Sequence, residues 1–475
     1  MFIRYDCTRY REIRAIRQTA ACTEAATISQ NGVLTLKDWR STCKQKLVSA
    51  EQALQAVKSG DRVVLGHACG EPPALVQALV ARAPELSNVE IVHMVAMGPA
   101  AFAQPGMERS FRFNGFFLGA PTRKAVQEGR GMFTPCFFSE VPRLFKQKIL
   151  TVDVMLLQVT PPDEQGFCSY GLSADYTQAA AEAATIVIAQ MNRILPRTAG
   201  VRIHLDALTW IVECDSPIVE LVSPKLGEAE RQIGENVASL VPDGATLQLG
   251  IGAIPDAALL SLKNKKDLGI HSEMISDGVV TLVEAGVITN QKKTINTGKF
   301  IVTFLMGTSK LYNFVHNNPA VELHPVDYVN DPCIIGQHDN MISINSALQV
   351  DLAGQVNAEM IGNVQYTGVG GQVDFVRGAG RSVGGKSIIA LPSTAAHGRI
   401  SRLCRELDAG AAVSTTRNDV HYVVTEFGVA DLRGKSLQQR AEALIAIAHP
   451  KFRDMLRGKR VRVSSAEEQV ELAAR

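Results

Sequence analysis

One stretch, residues 246–278, constrains the fold of this chain more than any other. It begins with a short β-prone apolar run, breaks at a glycine-rich turn and continues with helical patterning. A second short strand, residues 269–271, then carries Ser272 and Glu273 at its carboxyl end. Ligands of parallel α/β sheets bind beyond the carboxyl ends of the strands. The sequence therefore predicts Glu273 as the reacting group, beside a turn whose N–H groups can hold an anionic oxygen.

Two other interpretations of this stretch stay open. Gly250-x-Gly252, followed about twenty residues later by an acid, also fits a dinucleotide-binding fingerprint in which the acid binds a ribose hydroxyl. The third glycine of that fingerprint is missing, and Pro255 stands at that point. Glu273 is also compatible with an ordinary solvated carboxylate at a strand end, since most acidic side chains are exposed.

The strand that opens this stretch has a counterpart earlier in the chain. Residues 59–66, SGDRVVLG, align with residues 243–250, DGATLQLG. In both places a helix precedes the strand, and a glycine loop, a proline and another helix follow it. Near-continuous apolar strands separated by helices, such as residues 152–159, indicate parallel sheets covered on both faces. We therefore predict an α/β fold of two similar domains with mostly parallel sheets, related by internal duplication; the alternative is chance agreement of a common pattern.

The length of 475 residues exceeds one ordinary core, so several domains are expected. Prolines interrupt the pattern within residues 216–226, which places the divide there. We predict a flexible extension over residues 1–34, an N-terminal α/β domain over 35–222 and a C-terminal α/β domain over 223–475 that carries the reacting glutamate. The extension is rich in arginine and poor in acids, which fits an organellar transit peptide or a plain tail.

Composition excludes several classes of function. The net charge of +2 gives no reason to expect nucleic acid or an anionic membrane as a partner, and no long apolar run predicts a membrane span. Nine cysteines occur without a CxxC pair or a cysteine–histidine cluster, so no metal site is predicted. Free thiols fit a reducing compartment. We therefore expect a cytoplasmic protein, or a mitochondrial one if the arginine-rich start is a transit peptide.

Several residues near the predicted site receive local assignments. Residues 326–332 are interpreted as a strand that runs into the loop holding Asn330. Asp277 is interpreted as a helix N-cap without a chemical role. His271 is expected to be a packed or hydrogen-bonded residue, and Cys69 a buried, unreactive thiol.

Longer motifs connect these observations to a known family. They are QLGIGAIPDAAL (248–259), HSEMISDGVVTLVEAG (271–286), TGVGGQVDFVRGA (367–379), VVTEFGVADLRGKSLQQRAEALIAIAHPKFR (423–453) and, in the amino-terminal half, VTPPDEQGFCSYGLSADYT (159–177). Together they resemble the acetyl-CoA hydrolase/transferase family, most closely its 4-hydroxybutyrate and butyrate–acetate CoA-transferase type. The resemblance implies two CoA-transferase-type (NagB/RpiA-like) domains with the active site between them.

The resemblance also implies roles for residues at matching positions. Glu273 matches a glutamate that becomes covalently attached to substrate, and Asn330 and Glu426 match supporting catalytic positions. The N–H of Gly371 is implied to face the thioester oxygen, which makes it a catalytic residue as well. The implied CoA-binding residues are Gly250, Ile251, Gly252, Ala253, Ile254, Gly370, Gly371 and Ala396. A lysine that family members often carry after LPSTA is absent here, where Ala396 and His397 follow.

The activity implied by the resemblance is transfer of coenzyme A between short-chain carboxylic acids, for example between acetyl-CoA and 4-hydroxybutyrate or butyrate, through a glutamyl-CoA thioester. The alternatives are an acyl-CoA hydrolase using the same glutamate, an NAD-linked oxidoreductase and a non-enzymatic metabolite sensor. No permanently bound cofactor is expected, because the coenzyme A thioester is itself a substrate. The expected partners are small acyl-CoA and carboxylate molecules, and the family resemblance implies a homodimer or homotetramer.

Overall fold

The amino-terminal half consists of short elements centred on parallel strands. The computed structural model describes residues 26–28, 34–36 and 39–458, so most of the predicted extension 1–34 lies outside the described residues. The elements of this half are β1 (Ala26–Ile28), β2 (Leu34–Leu36), α1 (Trp39–Thr42), α2 (Ala50–Leu54), β3 (Arg62–Leu65), α3 (Pro73–Ala81), β4 (Val89–His93), β5 (Phe111–Gly115), α4 (Ala120–Gln127), β6 (Gly131–Phe133), α5 (Val141–Lys146), β7 (Val154–Val159), β8 (Phe167–Ser169), α6 (Thr177–Ala183), β9 (Ile186–Met191), β10 (Ala199–Gly200), β11 (Arg202–His204) and β12 (Trp210–Glu213).

The carboxy-terminal half repeats this alternation and adds small strand pairs. Its elements are α7 (Glu228–Leu240), β13 (Thr246–Leu249), α8 (Ala253–Ser261), β14 (Gly269–Ile270), β15 (Met274–Ile275), α9 (Asp277–Glu284), β16 (Phe300–Val302), β17 (Phe304–Leu305), α10 (Ser309–Val315), β18 (Val321–Leu323), α11 (Val326–Val329), α12 (Pro332–Ile335), β19 (Met341–Ser346), β20 (Gln349–Asp351), β21 (Val356–Asn357), β22 (Met360–Ile361), β23 (Val364–Gln365), α13 (Gln372–Arg381), β24 (Lys386–Ala390), β25 (Thr394–Ala395), β26 (Ile400–Ser401), β27 (Leu403–Cys404), β28 (Tyr422–Thr425), β29 (Gly428–Asp431), α14 (Leu437–Ala446) and α15 (Pro450–Arg457).

The two main sheets share the order of their central strands. The first sheet runs β12-β9-β7-β3-β4-β5-β6 and is parallel throughout. The second runs β14-β13-β19-β24-β28-β29, with only β29 antiparallel. In both, the glycine-led strand (β3 or β13) lies between the next strand of the chain and a strand that follows later; on that later side two further strands extend the first sheet and three extend the second. This equivalence confirms the predicted α/β fold and supports its origin by duplication. The division at residue 222/223 falls between β12 and α7, where the chain has neither helix nor strand, and the domain bounds stay a prediction.

The two halves share an apolar core and exchange main-chain hydrogen bonds. One cluster of buried side chains includes Val64 and Leu157 of the first sheet together with Leu247 and Ile344 of the second. Strand β10 of the first half pairs with β18 of the second, in parallel. The N–H of Leu305 donates to the carbonyl of Leu172 at 2.8 Å, and the N–H of Ala174 donates to that of Thr303 at 3.0 Å. The seam between the halves is therefore built of fixed backbone contacts.

The predicted strand over residues 326–332 is wrong. This segment forms the short helix α11, followed by α12, which has Pro332 in its first turn and Asp331 as N-cap. Val326 and Val329, three positions apart, are both buried, which is the spacing of one helical face. The β-branched valines favoured a strand in isolation, but packing against the first half overrides a propensity of this size.

The prediction that Asp277 is the N-cap of the helix at its own position is also wrong. Asp277 is the first residue of α9, and Ser276 occupies the cap position without a side-chain cap hydrogen bond. The carboxylate of Asp277 instead accepts hydrogen bonds from the N–H of Thr308 at 3.0 Å, the Thr308 hydroxyl at 2.7 Å and the N–H of Leu311 at 3.2 Å. It therefore satisfies donors at the start of α10, a helix distant in sequence.

None of the helices within the described residues is long and apolar enough to cross a membrane.

We predict that Asp277→Ala lowers the free energy of unfolding by about 1–3 kcal/mol, because three donors at the start of α10 lose their acceptor. Ser276→Ala is the matched control and should change it by less than about 0.5 kcal/mol, since the serine makes no cap bond. Urea titration of both variants measures the difference. Equal losses in the two variants would show that the carboxylate is not what stabilises α10.

Candidate active site

Main-chain hydrogen bonds fix Glu273 between β14 and β15. Its carbonyl accepts from the N–H of Thr303 at 3.0 Å and from that of Phe304 at 3.2 Å. The neighbouring Ser272 hydroxyl bridges to the main chain of Leu249, donating to its carbonyl and accepting from its N–H, both at 3.1 Å. Ser272 thereby ties the Glu273 segment to the end of β13, where the predicted glycine turn begins.

The side chain of Glu273 is held by two amide donors. Asn330, fully buried at the end of α11, donates from Nδ2 to Oε2 at 2.8 Å. The main-chain N–H of Gly371, at the start of α13, donates to the same carboxylate. A Cβ placed on Gly371 would overlap Oε2 of Glu273 and Nδ2 of Asn330. Only glycine can therefore occupy position 371 with this arrangement intact.

The surroundings of Glu273 disfavour its charge. Burial raises the pKa of Glu273 to about 8, against the opposing effect of the Asn330 hydrogen bond. The nearby carboxyl groups of Asp374 and Asp175 raise the pKa further, and the Gly371 N–H lowers it. The side chain is nevertheless only half-buried, so it is reachable from outside. Glu273 is therefore a poorly hydrated carboxyl group, and its ionised form is a stronger base than an ordinary carboxylate.

Asp374 joins this site to the amino-terminal half. Its carboxyl oxygens accept from the Ser139 hydroxyl at 2.8 Å and from the Ser139 N–H at 3.1 Å. Burial raises the pKa of Asp374 to about 7, while the hydrogen bonds from Ser139 and Asn330 lower it. Ser139 comes from the first half and Asp374 from α13 of the second, so the site depends on how the two halves meet.

A cavity of about 200 Å³ opens beside Glu273. Phe117 of the first half covers the glycine loop, since a Cβ on Gly368 would lie 2.7 Å from the Phe116 carbonyl oxygen and 3.1 Å from the Phe117 ring. Within the described part of the chain, Phe117 is the one lining residue from the first half, and the volume of the cavity suits a small acyl group. Among the residues lining it are Phe117, Gln248, Gly250, Asn345, Gly370 and Gly371.

The structure brings some of the predicted site residues together and separates others. Glu273, Asn330 and Gly371 are in contact, and Gly250 and Gly370 line the same cavity. Ile251 is exposed, and Gly252 is the N-cap residue of α8, with a φ of 106°. Ala253 and Ile254 are already in that helix and, like Ile251 and Gly252, are not among the residues lining the cavity. Their contact with CoA stays a prediction.

Glu426 and Ala396 lie away from the Glu273 carboxylate. Glu426 follows β28, which is four strands from β14, the strand that precedes Glu273. Its carboxylate accepts from the N–H of Ser393 at 2.8 Å and from the Ser393 hydroxyl at 2.5 Å. Ala396 follows β25, in the turn before β26, with a φ of 51°. Among the described residues, neither Glu426 nor Ala396 lines the cavity or bonds to Glu273, so no contact at the site supports their predicted roles.

Two expectations about unreactive groups are confirmed. His271 is fully buried, and its Nε2 lies 2.7 Å from the carbonyl of Val329, to which it donates. Burial raises the pKa of the Cys69 thiol to about 11, so this cysteine is not a thiolate at neutral pH. Within the described residues, the side chains form no group of three or more histidines, cysteines or acids that could hold a metal ion.

Sequence reasoning missed three groups at the site. Asp374 belongs to the quoted motif GVGGQVDF, and the acid inside an apolar helix was the available signal. Phe117 and Ser139 come from the other half of the chain, and no pattern in the sequence connects them to Glu273. The interaction that recruits them exists only after the halves pack.

Comparison with known families gives the same assignment for both halves of the chain. A family model for the acetyl-CoA hydrolase/transferase N-terminal domain matches residues 33–223, and the model for the C-terminal domain matches residues 307–460. A 4-hydroxybutyrate coenzyme A transferase of Clostridium kluyveri is 60% identical over 420 residues, which cover 88% of this chain and 98% of that protein. A butyryl-CoA:acetate CoA-transferase of Anaerostipes caccae is 40% identical, covering 87% of this chain and 95% of that protein.

Solved structures resemble the chain over nearly its whole length. A 4-hydroxybutyrate CoA-transferase from Porphyromonas gingivalis is 42% identical with a TM-score of 0.74, covering 92% of this chain and all of that one. RipA from Yersinia pestis is 38% identical with a TM-score of 0.83, covering 89% of this chain and 98% of that one. The two-domain arrangement is therefore shared with experimental structures.

We predict that the stability of the protein depends on pH through Glu273. Its folded-state pKa of about 8 lies above the ordinary value of 4.5, so its contribution is full below pH 4.5 and is lost as the pH rises to 8. Glu273→Gln should therefore become progressively more stable than the parent over that interval, by at most about 1.4 kcal/mol for each pH unit, and level off above it. Asp374 titrates in the same interval and is coupled to Glu273, so the pH dependence of the difference belongs to the pair of carboxyl groups. Unfolding measured in urea across pH tests this, and a constant difference would contradict the burial of a protonated Glu273.

Proposed function

Because the chain belongs to the acetyl-CoA hydrolase/transferase family, we propose that it moves coenzyme A between short-chain carboxylic acids through a covalent thioester on Glu273. Its relatives are named as CoA transferases, which supports CoA transfer as the activity of this chain and its assignment as an enzyme. The observation that carries the covalent step is the half-buried Glu273 carboxyl, held by Asn330 and Gly371 at the side of a narrow cavity. The 60% identity to a 4-hydroxybutyrate transferase favours 4-hydroxybutyrate or butyrate as one acid and acetate as the other.

The proposed reaction consists of acyl transfers that need no external energy source. An oxygen of ionised Glu273 attacks the thioester carbonyl of an acyl-CoA, and the C–S bond breaks to give a mixed anhydride and CoA thiolate. The thiolate then attacks the glutamyl carbonyl, which releases the first carboxylate and leaves a glutamyl-CoA thioester. A second carboxylate attacks this thioester, and the steps run in reverse to give the new acyl-CoA and free Glu273.

The amide donors around Glu273 suit the charge that this reaction creates. Each addition places negative charge on a carbonyl oxygen, and a fixed donor aimed at such an oxygen contributes about 3 kcal/mol in enzymes that form oxyanions. The Gly371 N–H approaches without a side chain in the way, because position 371 has room for none. Asn330 donates to Oε2 of the same carboxylate, the oxygen that lies nearest Gly371.

The raised pKa of Glu273 has two opposing effects on the first step. It makes the ionised carboxylate a stronger nucleophile, and it lowers the fraction that is ionised at neutral pH. A carboxylate that resists ionisation is the stronger nucleophile once ionised, and a dry site removes the water that would otherwise shield it. At neutral pH, part of the enzyme holds Glu273 protonated, since its pKa is about 8. The value of kcat/KM for acyl-CoA is therefore expected to rise with pH and reach its plateau above that value.

We predict that Glu273 becomes labelled during turnover. Borohydride added with an acyl-CoA should reduce the glutamyl thioester to an alcohol and inactivate the enzyme, because the adduct is covalent. Peptide mass mapping locates the change. Glu273→Gln is the control and should be neither labelled nor active, with a loss of at least about a thousandfold in kcat for removing the nucleophile. Modification at another residue would overturn the assignment of Glu273.

We further predict that an acceptor acid controls the fate of the thioester. With acetate present, a labelled acyl-CoA should yield acetyl-CoA and free acid with ping-pong kinetics, because the second carboxylate enters after the first has left. Release of free CoA should be slow by comparison, because the proposed activity is transfer of CoA to a carboxylate and not to water. Rapid release of free CoA that acetate does not affect would favour an acyl-CoA hydrolase, which uses the same glutamate.

A further inference from the structure

The position of Asn330 depends on contacts outside its own helix. Helix α11 has only four residues, and so short a helix has no stability of its own in water. Asn330 is its C-cap residue, where carbonyl groups lack helical partners. The orientation of the Asn330 amide toward Glu273 must therefore be fixed by tertiary contacts of α11.

Several contacts hold α11 to the rest of the protein, among them a hydrogen bond from Asn296 Nδ2 to the Tyr328 hydroxyl at 3.1 Å. Lys146 forms an ion pair with Asp327 at 2.6 Å, with both side chains partly exposed. The N–H of Val326 donates to the Asp175 carbonyl at 3.3 Å. The ring of His271 donates from Nε2 to the carbonyl of Val329 at 2.7 Å. This last bond is the shortest one in a fully buried setting, and Val329 directly precedes Asn330.

His271 links the segment that carries Glu273 to the segment that carries Asn330. It lies two positions before Glu273, and its own N–H is bonded to the carbonyl of Leu247 at 3.1 Å in β13. The acceptor at Val329 is a carbonyl, so Nε2 carries the proton and Nδ1 does not. Among the described residues, Nδ1 has no hydrogen-bond partner. The ring is therefore a single-donor link from the Glu273 segment to the peptide that carries Asn330.

The charged and titratable groups around His271 keep this link constant. Burial lowers the pKa of His271 well below its ordinary value, and the neighbouring His338 and Lys293, followed by His324, lower it further. The rings of His271 and His338 lie 4.6 Å apart. The Nζ of Lys293 donates to the carbonyls of Ile270 and Lys299 at 2.7 and 2.6 Å. His271 thus stays neutral at the pH at which Glu273 ionises, and it cannot serve as an acid or base in the reaction.

We propose that His271 is a positioning residue for catalysis: its bond to the Val329 carbonyl holds the Asn330 amide against the carboxylate of Glu273. The inference rests on the proposed function, in which Asn330 supports the reacting glutamate. His271 acts through the position of Asn330 and does not contact the substrate. Without the bond, the end of α11 is free to rotate, and the Asn330 amide is shared less effectively between Glu273 and Asp374.

The test is a double-mutant cycle between His271 and Asn330. His271→Phe keeps the ring shape and removes the donor, and it should lower kcat about tenfold while KM for acyl-CoA changes by less than about twofold. His271→Gln places a donor at similar reach and should recover most of the lost rate. In the Asn330→Ala background, His271→Phe should have almost no further effect, because the residue through which it acts is gone.

A pH profile gives a second measurement. The Asn330 bond lowers the pKa of Glu273, so both His271→Phe and Asn330→Ala should move the midpoint of kcat/KM to higher pH. Asp374 and Asp175 face Glu273 from other elements and stay in place in both variants, but the Asn330 bond also lowers the pKa of Asp374, so the midpoint belongs to the coupled pair of Glu273 and Asp374. His338→Phe is the matched control, because His338 is equally buried and stacks on His271 but makes no side-chain hydrogen bond within the described residues.

The outcomes separate positioning from packing. Equal losses for His271→Phe with and without Asn330, or an equal loss of kcat and the same shift of the midpoint in His338→Phe, would overturn the proposal. If His271→Phe fails to fold, His271→Asn, whose donor stops short of the Val329 carbonyl, takes its place in the same cycle. Full activity in Glu273→Gln would refute the proposed function instead, and this result is independent of the coupling between His271 and Asn330.

Discussion

The carboxyl group of Glu273 is the constraint on which the rest of the site depends. Burying it is unfavourable, and the neighbouring carboxyl groups of Asp374 and Asp175 add to that cost, so its pKa is raised to about 8. Two amide donors, from Asn330 and Gly371, offset part of this. Such donors act only if the backbone fixes them in advance. The short helix α11, the start of α13 and the seam between the halves all serve that purpose.

The seam makes the site a product of both halves. Glu273, Asn330 and Gly371 come from the carboxy-terminal half, while Phe117 and Ser139 come from the amino-terminal half. Arg123 of α4 donates to the Tyr366 carbonyl at 2.6 Å and stacks on its ring, which anchors the segment leading to the glycine loop. The two halves contain similar sheets, but only the second half carries Glu273, the carboxyl group proposed to react. The first half instead contributes Phe117, which lines the cavity, and Ser139, which donates to Asp374.

Residue patterns predicted the architecture because periodicity and turn residues act locally. The strand Arg62–Leu65, the glycine turn after Thr246–Leu249 and the placement of Glu273 beyond Gly269–Ile270 all follow from apolar runs broken by glycine and proline. The segment 326–332 shows where this fails, because valines that favour a strand are held in a helix by burial against the other half. Asp277 shows it again, since a capping residue can serve a helix that lies elsewhere in the chain.

The sequence alone determined the α/β class and the repeated unit, and it singled out Glu273 as the candidate for the reacting group, because each lies in a short contiguous stretch with its own motif. The tertiary structure alone decided which predicted residues meet: Asn330 and Gly371 contact Glu273, whereas Glu426 bonds to Ser393 at another strand end. It also decided the raised pKa of Glu273 and the link from His271 to Val329. The physical reason is that burial and hydrogen bonding across many intervening residues exist only once the two halves have packed, and no local pattern encodes them.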